Sequence, residues 1–239
     1  KDKNGKYLTQ IKKKTACIVT FLDGKDKQTL NTKNCYEVGK NIARFHRASN
    51  KTKLYRKNSM SINNLDPLLK SINFKSNVIN SNLKIVLKNN LKEIKRNWPT
   101  NLPQGIIHGD LFIDNIFFKK NKFAGFIDFY FSCKDYLMYE IAICINALCF
   151  DRKKNKFILN NLKTKNLIKG YESVKKISPN EKNSLNILCR GAALRYLLTR
   201  IYDFFNTPKT ALIKIKDPKE YFQKLIIHNH LNNYQDYYK

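Results

Sequence analysis

The order of apolar patterns predicts a mostly helical α+β chain: two strands first, then helices around one functional hairpin. Three observations lead there. Two strand-like runs come first and are followed by a series of helical periods. Inside the helical part, two short apolar runs flank the polar tetrapeptide Lys119–Lys122, which reads as a hairpin loop. Two later helix starts, at Ser178-Pro179-Asn180-Glu181 and Asp217-Pro218-Lys219-Glu220, carry capping residues with proline at the first helical position. No internal repeat and no linker marks a second independent domain.

In chain order, Leu8–Lys14 and Ala16–Leu22 read as two strands, the second a buried run broken by Asp23 and Gly24. Thr32 is the expected cap of a helix reaching about Ala48. Its apolar stripe Cys35, Val38, Ile42 and Phe45 has the spacing a helix demands, and His46 is expected to pack or cap. The polar segment Asn50–Asn64 is expected to be loop. A second helix should run from Ser81 to Trp98, carrying Leu83, Val86, Leu87, Leu91 and Ile94, and Pro99 and Pro103 stop it. Ile106 and Ile107 form a buried strand ending at His108. Ile116–Phe118 and Phe123–Ile127 are the hairpin strands. Phe129–Tyr136 is expected to be loop, and Leu137–Phe150, apolar nearly all round, a buried helix. The helix opened at Ser178 should reach about Phe205 with a bend at Gly191, and the last helix should end near Asn232.

The chemistry concentrates at the hairpin. A hairpin returns the chain to its start, so Asn115, just before the first strand, and Asp128, just after the second, should lie side by side. Asp110 sits on the loop leading in. Two carboxylates and a carboxamide then converge at one strand edge. Like charges in one place are costly unless a cation is shared, and oxygen ligands of this type suit Mg²⁺. The bland alternative is an ordinary hairpin with surface polar residues. A lone His-x-Asp says almost nothing; the combined spacing of His108, Asp110, Asn115 and Asp128 around a hairpin says more.

His108-x-Asp110-x₄-Asn115, followed by Ile127-Asp128-Phe129, resembles the catalytic loop and metal segment of protein-kinase-like phosphotransferases. Gly109 as the second loop residue, with no glycine after Phe129, is similar to the aminoglycoside phosphotransferase-like small-molecule kinases rather than the protein kinases. Three further stretches, Gly125–Asn146, Arg190–Asp203 and Lys216–Tyr221, resemble the homoserine kinase branch, and the likeness runs from about Ala16 to His230. The resemblance implies a protein-kinase-like fold and ATP-dependent phosphorylation of the L-homoserine hydroxyl in threonine biosynthesis. ATP and Mg²⁺ are the implied cofactors. It implies Asp110 as catalytic base, Asn115 and Asp128 as metal ligands, and His108, Asp135 and Glu140 as support. The family usually has Asp at the place of Glu140, where it braces the catalytic loop. Backbone groups of Thr20, Phe21 and Leu22 would meet the adenine at the hinge. Residues 1–22 are then the remnant of a nucleotide-binding lobe, and 23–239 the catalytic and substrate lobe.

Composition narrows the classes. Hydrophobic content of 42% and aromatic content of 12% support a packed core rather than disorder. No run approaches 18 apolar residues, and Lys1–Gly5 has no apolar signal-peptide core, so no membrane partner and a cytoplasmic location are expected. The six cysteines form no C-x-x-C pair and mostly sit in apolar runs, which reads as small buried hydrophobes in a reduced protein. The balance of 46 basic against 18 acidic residues, net +28, can signal nucleic-acid binding. Here the excess is mostly Lys, scattered among abundant Asn and Ile as A·T-rich coding would produce. No basic-aromatic repeat or zinc-ligand spacing accompanies it. Nucleic acid is therefore not an expected partner, and the charge reads as a solvated surface that attracts an anionic nucleotide.

A phosphotransferase also needs a Gly-rich loop and a strand Lys around the triphosphate. Neither precedes Thr20, no G-x-G-x-x-G occurs among the 8 glycines, and the chain does not begin with Met. It is expected to be a fragment lacking most of its nucleotide-binding lobe, near background in activity by itself. Homoserine carries a carboxylate and an ammonium, so its site needs a cation and an anion. Arg195 and Arg200 are the carboxylate candidates, because the Arg fork matches a carboxylate. Arg200 and Asp203, three apart on one helix, can equally pair with each other. Two other readings stay open: a sister kinase for another amino alcohol or an aminoglycoside, and a catalytically dead basic binding protein. Titration with Mg²⁺ and ATP, against duplex DNA at two salt concentrations, separates the classes.

Overall fold

The computed structural model describes residues 1–72, 74, 81–208, 210–212 and 215–238. In chain order these form β1 (Thr9–Ile11), β2 (Lys14–Ala16), α1 (Thr32–Ser49), α2 (Leu65–Ser71), α3 (Ser81–Arg96), β3 (Gln104–Ile107), β4 (Ile116–Lys119) and β5 (Lys122–Phe126). They continue with β6 (Cys133–Tyr136), α4 (Leu137–Leu148), β7 (Phe150–Lys153), β8 (Lys156–Leu159), α5 (Asn161–Glu172), α6 (Pro179–Asn206), α7 (Pro218–Asn229) and α8 (Gln235–Tyr238). The strands pair as antiparallel ribbons, β1 with β2, β3 with β6, β4 with β5 and β7 with β8.

The core is helical. Every residue of α4 except Ala147 is buried, which its all-round apolar sequence requires. Leu137, Ile141, Ile143, Ile145 and Leu148 each contribute about 1.5–3 kcal/mol by leaving water. Helix α6 packs on α4 and α7, and α1 packs on α5. The α1–α5 contact is close because a glycine stands on each side. A Cβ at Gly39 would sit 1.9 Å from the Leu167 carbonyl oxygen, and one at Gly170 would sit 1.9 Å from that of Tyr36. At the end of α1, buried His46 packs as expected, its Nδ1 3.0 Å from the Tyr171 hydroxyl. Burial lowers its pKa to about 3, so it is neutral. The capping devices form: the Ser178 side chain accepts the Glu181 N–H while Glu181 Oε2 accepts the Ser178 N–H at 2.9 Å, and Asp217 accepts the Lys219 N–H at 2.8 Å. Helix α6 continues through Gly191, over which the Trp98 ring leaves no room for a side chain.

Several local expectations are corrected. Ala16–Leu22 is not a buried strand: β2 ends at Ala16, and Ile18, Val19 and Phe21 are exposed. An apolar run is buried as a strand only where neighbours cover it, and among the described residues β1 is the one strand paired with β2. The cap of α1 is Asn31, whose side chain accepts the Asn34 N–H at 2.8 Å; Thr32 is already helical. The stretch expected to be loop before Leu65 ends in a 3₁₀ turn at Ile62–Asn64 that leads into α2. The stretch expected to be loop before Leu137 contains a 3₁₀ turn and then β6, whose alternation is too short to stand out. The helix expected to reach Phe150 stops at Leu148, because Phe150 opens the β7–β8 ribbon. Five cysteines are buried; Cys17 is exposed. Among the described residues no helix is long and apolar enough to cross a membrane.

Candidate active site

The β4–β5 hairpin frames the site. Lys120 and Asn121 both take positive φ, the two-residue turn whose twist matches its strands. The ladder runs one residue beyond the strands, with Ile127 N–H donating to the Asn115 carbonyl at 3.1 Å. Asn115 and Asp128 therefore flank the same end of the hairpin. Asp128 sits in the left-handed region, φ 60° and ψ 64°, which Asp tolerates better than most residues. Its exposed carboxylate accepts the Tyr130 N–H at 3.4 Å and pairs with no cation among the described residues.

The loop leading in is held from several sides. Gly109 has φ +78°, and a Cβ there would meet the Phe131 carbonyl oxygen at 2.8 Å; glycine therefore fits where arginine would not. Asp110's carbonyl accepts the Phe112 N–H and the Asn115 Nδ2–H, both at 2.9 Å. That leaves the carboxamide oxygen of Asn115 as the group it can offer a cation. Buried Glu140, in the first turn of α4, accepts the His108 N–H with Oε2 and the Gly109 N–H at 3.2 and 3.3 Å with its two oxygens. Its longer side chain thus reaches the loop. Burial pushes its carboxyl up to about 7, against the pull of the two backbone donors and Arg195. His108 is buried and its Nε2 donates to the Ile127 carbonyl at 2.8 Å, linking the loop to the residue before Asp128. Burial lowers its pKa, which keeps the ring neutral.

Asp110, half-buried, has its pKa raised by burial, opposed by Arg195 and by the Tyr196 hydroxyl. That hydroxyl lies 3.2 Å from Asp110 Oδ1 and 3.1 Å from the Gly109 carbonyl. Asp110, Asn115, Asp128, Arg195 and Arg200 all line one cleft of about 550 Å³. Arg195 is only 4% exposed, lies over the Tyr196 ring at 4.8 Å and has no carboxylate within ion-pair distance among the described residues. Arg200 does not pair with Asp203. Its Nη1 bonds Glu220 at 2.7 Å and the Asp217 carbonyl at 3.0 Å, because α7 brings Glu220 across. Asp135 stands off the cleft. It accepts Asn58 Nδ2–H at 2.5 Å, and Asn58 in turn accepts the N–H of Met60, a cleft residue. Thr20, Phe21 and Leu22 are likewise not brought to the cleft; Leu22 lies against Gly125.

Sequence reasoning missed Tyr196, Thr199, Asp203 and Lys216, which also line the cleft. The signal was present for two of them: Arg195, Thr199 and Asp203 recur at steps of four, one face of a helix.

The phosphotransferase enzyme family model matches residues 5–174. The homoserine kinase of Xanthobacter autotrophicus is 39% identical over 235 residues, covering 98% of this chain and 72% of its own length. That of Rhodospirillum rubrum is 39% identical over 226 residues, covering 95% and 70%. Among solved structures, an amicoumacin kinase in complex with AMP-PNP and Ca²⁺ superposes with a TM-score of 0.65 at 12% identity, covering 99% of this chain and 70% of that one. A choline kinase from Cryptosporidium parvum gives 0.64 at 17% identity, covering 87% and 68%. These two share the fold, as the expected protein-kinase-like α+β class requires. With its cleft, its loop and its hairpin in the arrangement described, the chain belongs to the phosphotransferase enzyme family and, within it, to the homoserine kinases.

Proposed function

We propose that this site transfers the γ-phosphoryl group of ATP to the hydroxyl of L-homoserine, giving O-phospho-L-homoserine. The observation that carries the reading is one cleft holding Asp110, Asn115 and Asp128 together. The names of the relatives support homoserine as acceptor. Asp110 orients the acceptor hydroxyl and takes its proton; burial raises its pKa and makes it a better base than a solvated Asp. The Asn115 carboxamide oxygen and the Asp128 carboxylate are hard oxygen donors that fit Mg²⁺. When bound, the metal neutralises charge on the transferring phosphoryl. Glu140 and His108 fix the loop between these groups, and Asp135 acts at one remove through Asn58. Arg195 is the carboxylate ligand we favour; Arg200, engaged by Glu220, shapes the wall beside it. Residues 1–22 are read as the remnant of a nucleotide-binding lobe, outside the lining of this cleft, and 23–239 as the catalytic and acceptor lobe.

The test is Asp110→Asn. In the full-length protein it should keep the fold by circular dichroism and lower phosphoryl transfer to homoserine by about 10²–10⁴ relative to wild type. Turnover within a few-fold of wild type would remove Asp110 from this role.

A further inference from the structure

Helix α6 presents Arg195, Thr199 and Asp203 to the cleft at successive steps of four residues, each about 6 Å further along the helix axis. The two ends of this row carry opposite charges, and neither has an ion-pair partner among the described residues. Arg195 is almost fully buried, and its Nε has no hydrogen-bond partner. Asp203 has no side-chain hydrogen bond or ion pair there. The cation three residues before it, Arg200, is held by Glu220, and Lys216 lies 3.9 Å from Asp114. Burial alone raises the Asp203 carboxyl, with no cation pulling it back. Buried Arg195 is steadied by Asp110 and the Tyr139 hydroxyl rather than by an ion pair, and Asp203 is exposed at the other end of the row, so the two opposite charges on this face of the cleft suit a ligand bearing both signs.

We propose that Asp203 binds the ammonium group of the acceptor, with the Thr199 hydroxyl beside it, while the guanidinium of Arg195 takes the carboxylate. This rests on the function proposed above and deepens it: the acceptor is a zwitterionic amino alcohol. A polycationic acceptor would meet Asp203 but bring no carboxylate to Arg195, and a simple alcohol would meet neither. Asp203 then discriminates among alcohols through a group remote from the reacting oxygen.

The experiment is calorimetric titration of the chain with L-homoserine, with 4-hydroxybutanoate, which lacks the ammonium, and with 3-aminopropanol, which lacks the carboxylate. Asp203 is on an exposed part of α6, and Asp203→Asn keeps its shape. The variant should weaken homoserine and 3-aminopropanol about tenfold or more, as loss of a charged hydrogen bond does, and leave 4-hydroxybutanoate within about twofold. Asp203→Glu should recover part of the loss. Equal weakening of all three ligands, an unchanged Kd for homoserine, or failure of the wild type to bind any of them overturns the assignment. If wild type prefers another ammonium-bearing alcohol, the homoserine reading falls, and the same ratio measured with that alcohol decides Asp203.

Discussion

Glu140 offers the sharpest test of how the loop is held. Its carboxyl is fully buried, faces the backbone N–H groups of His108 and Gly109, and is pushed by burial from 4.5 to about 7. A raised carboxyl favours the protonated native state. The stability it contributes is complete below 4.5 and is lost as pH rises through about 7. At about 1.36 kcal/mol per pH unit, the span from 4.5 to about 7 amounts to about 3 kcal/mol. Glu140→Gln keeps the size and removes the titration. Its amide oxygen can accept from the loop, but its NH₂ confronts a second donor, so at pH 4.5 the variant should be about 1–3 kcal/mol less stable than wild type. Between pH 4.5 and 8 the gap should close by about 3 kcal/mol, because wild type alone carries the titrating group. Urea unfolding of both proteins across that range measures it, and the difference cancels every other titrating residue. A gap constant to within about 0.5 kcal/mol would show that Glu140 ionises as it does in water and that its burial against the loop is wrong.

Tyr196→Phe removes the donor facing Asp110 Oδ1, so the Asp110 pKa, already raised, should rise further. The acid limb of kcat/KM against pH should move to higher pH by up to about one unit, the equivalent of one hydrogen bond; an unmoved limb would refute the contact. Gly39→Ala places a methyl group 1.9 Å from the Leu167 carbonyl oxygen. Although alanine is the better helix former by about 1 kcal/mol, separating α1 from α5 should leave the variant at least about 2 kcal/mol less stable by urea unfolding. A more stable variant would mean that the two helices do not meet there.

Much of this protein is decided locally. The hairpin needs only the short apolar runs around Lys119–Lys122, and it alone brings Asn115 next to Asp128. The caps of α6 and α7 are satisfied within four residues, and the burial of α4 follows from an apolar sequence with no polar face. Other features depend on what lies opposite. Whether Ala16–Leu22 is a strand turns on neighbours that its own residues do not supply, and whether Cys133–Tyr136 is one turns on β3 lying alongside. Arg200 could have paired with Asp203 one turn away, yet α7 delivers Glu220 from 20 residues later. That exchange leaves Asp203 open in the cleft. Local bonds are written in nearby residues, whereas the partner of a charge is set by whichever elements the packed core brings within a few ångströms, and only the tertiary structure decides that.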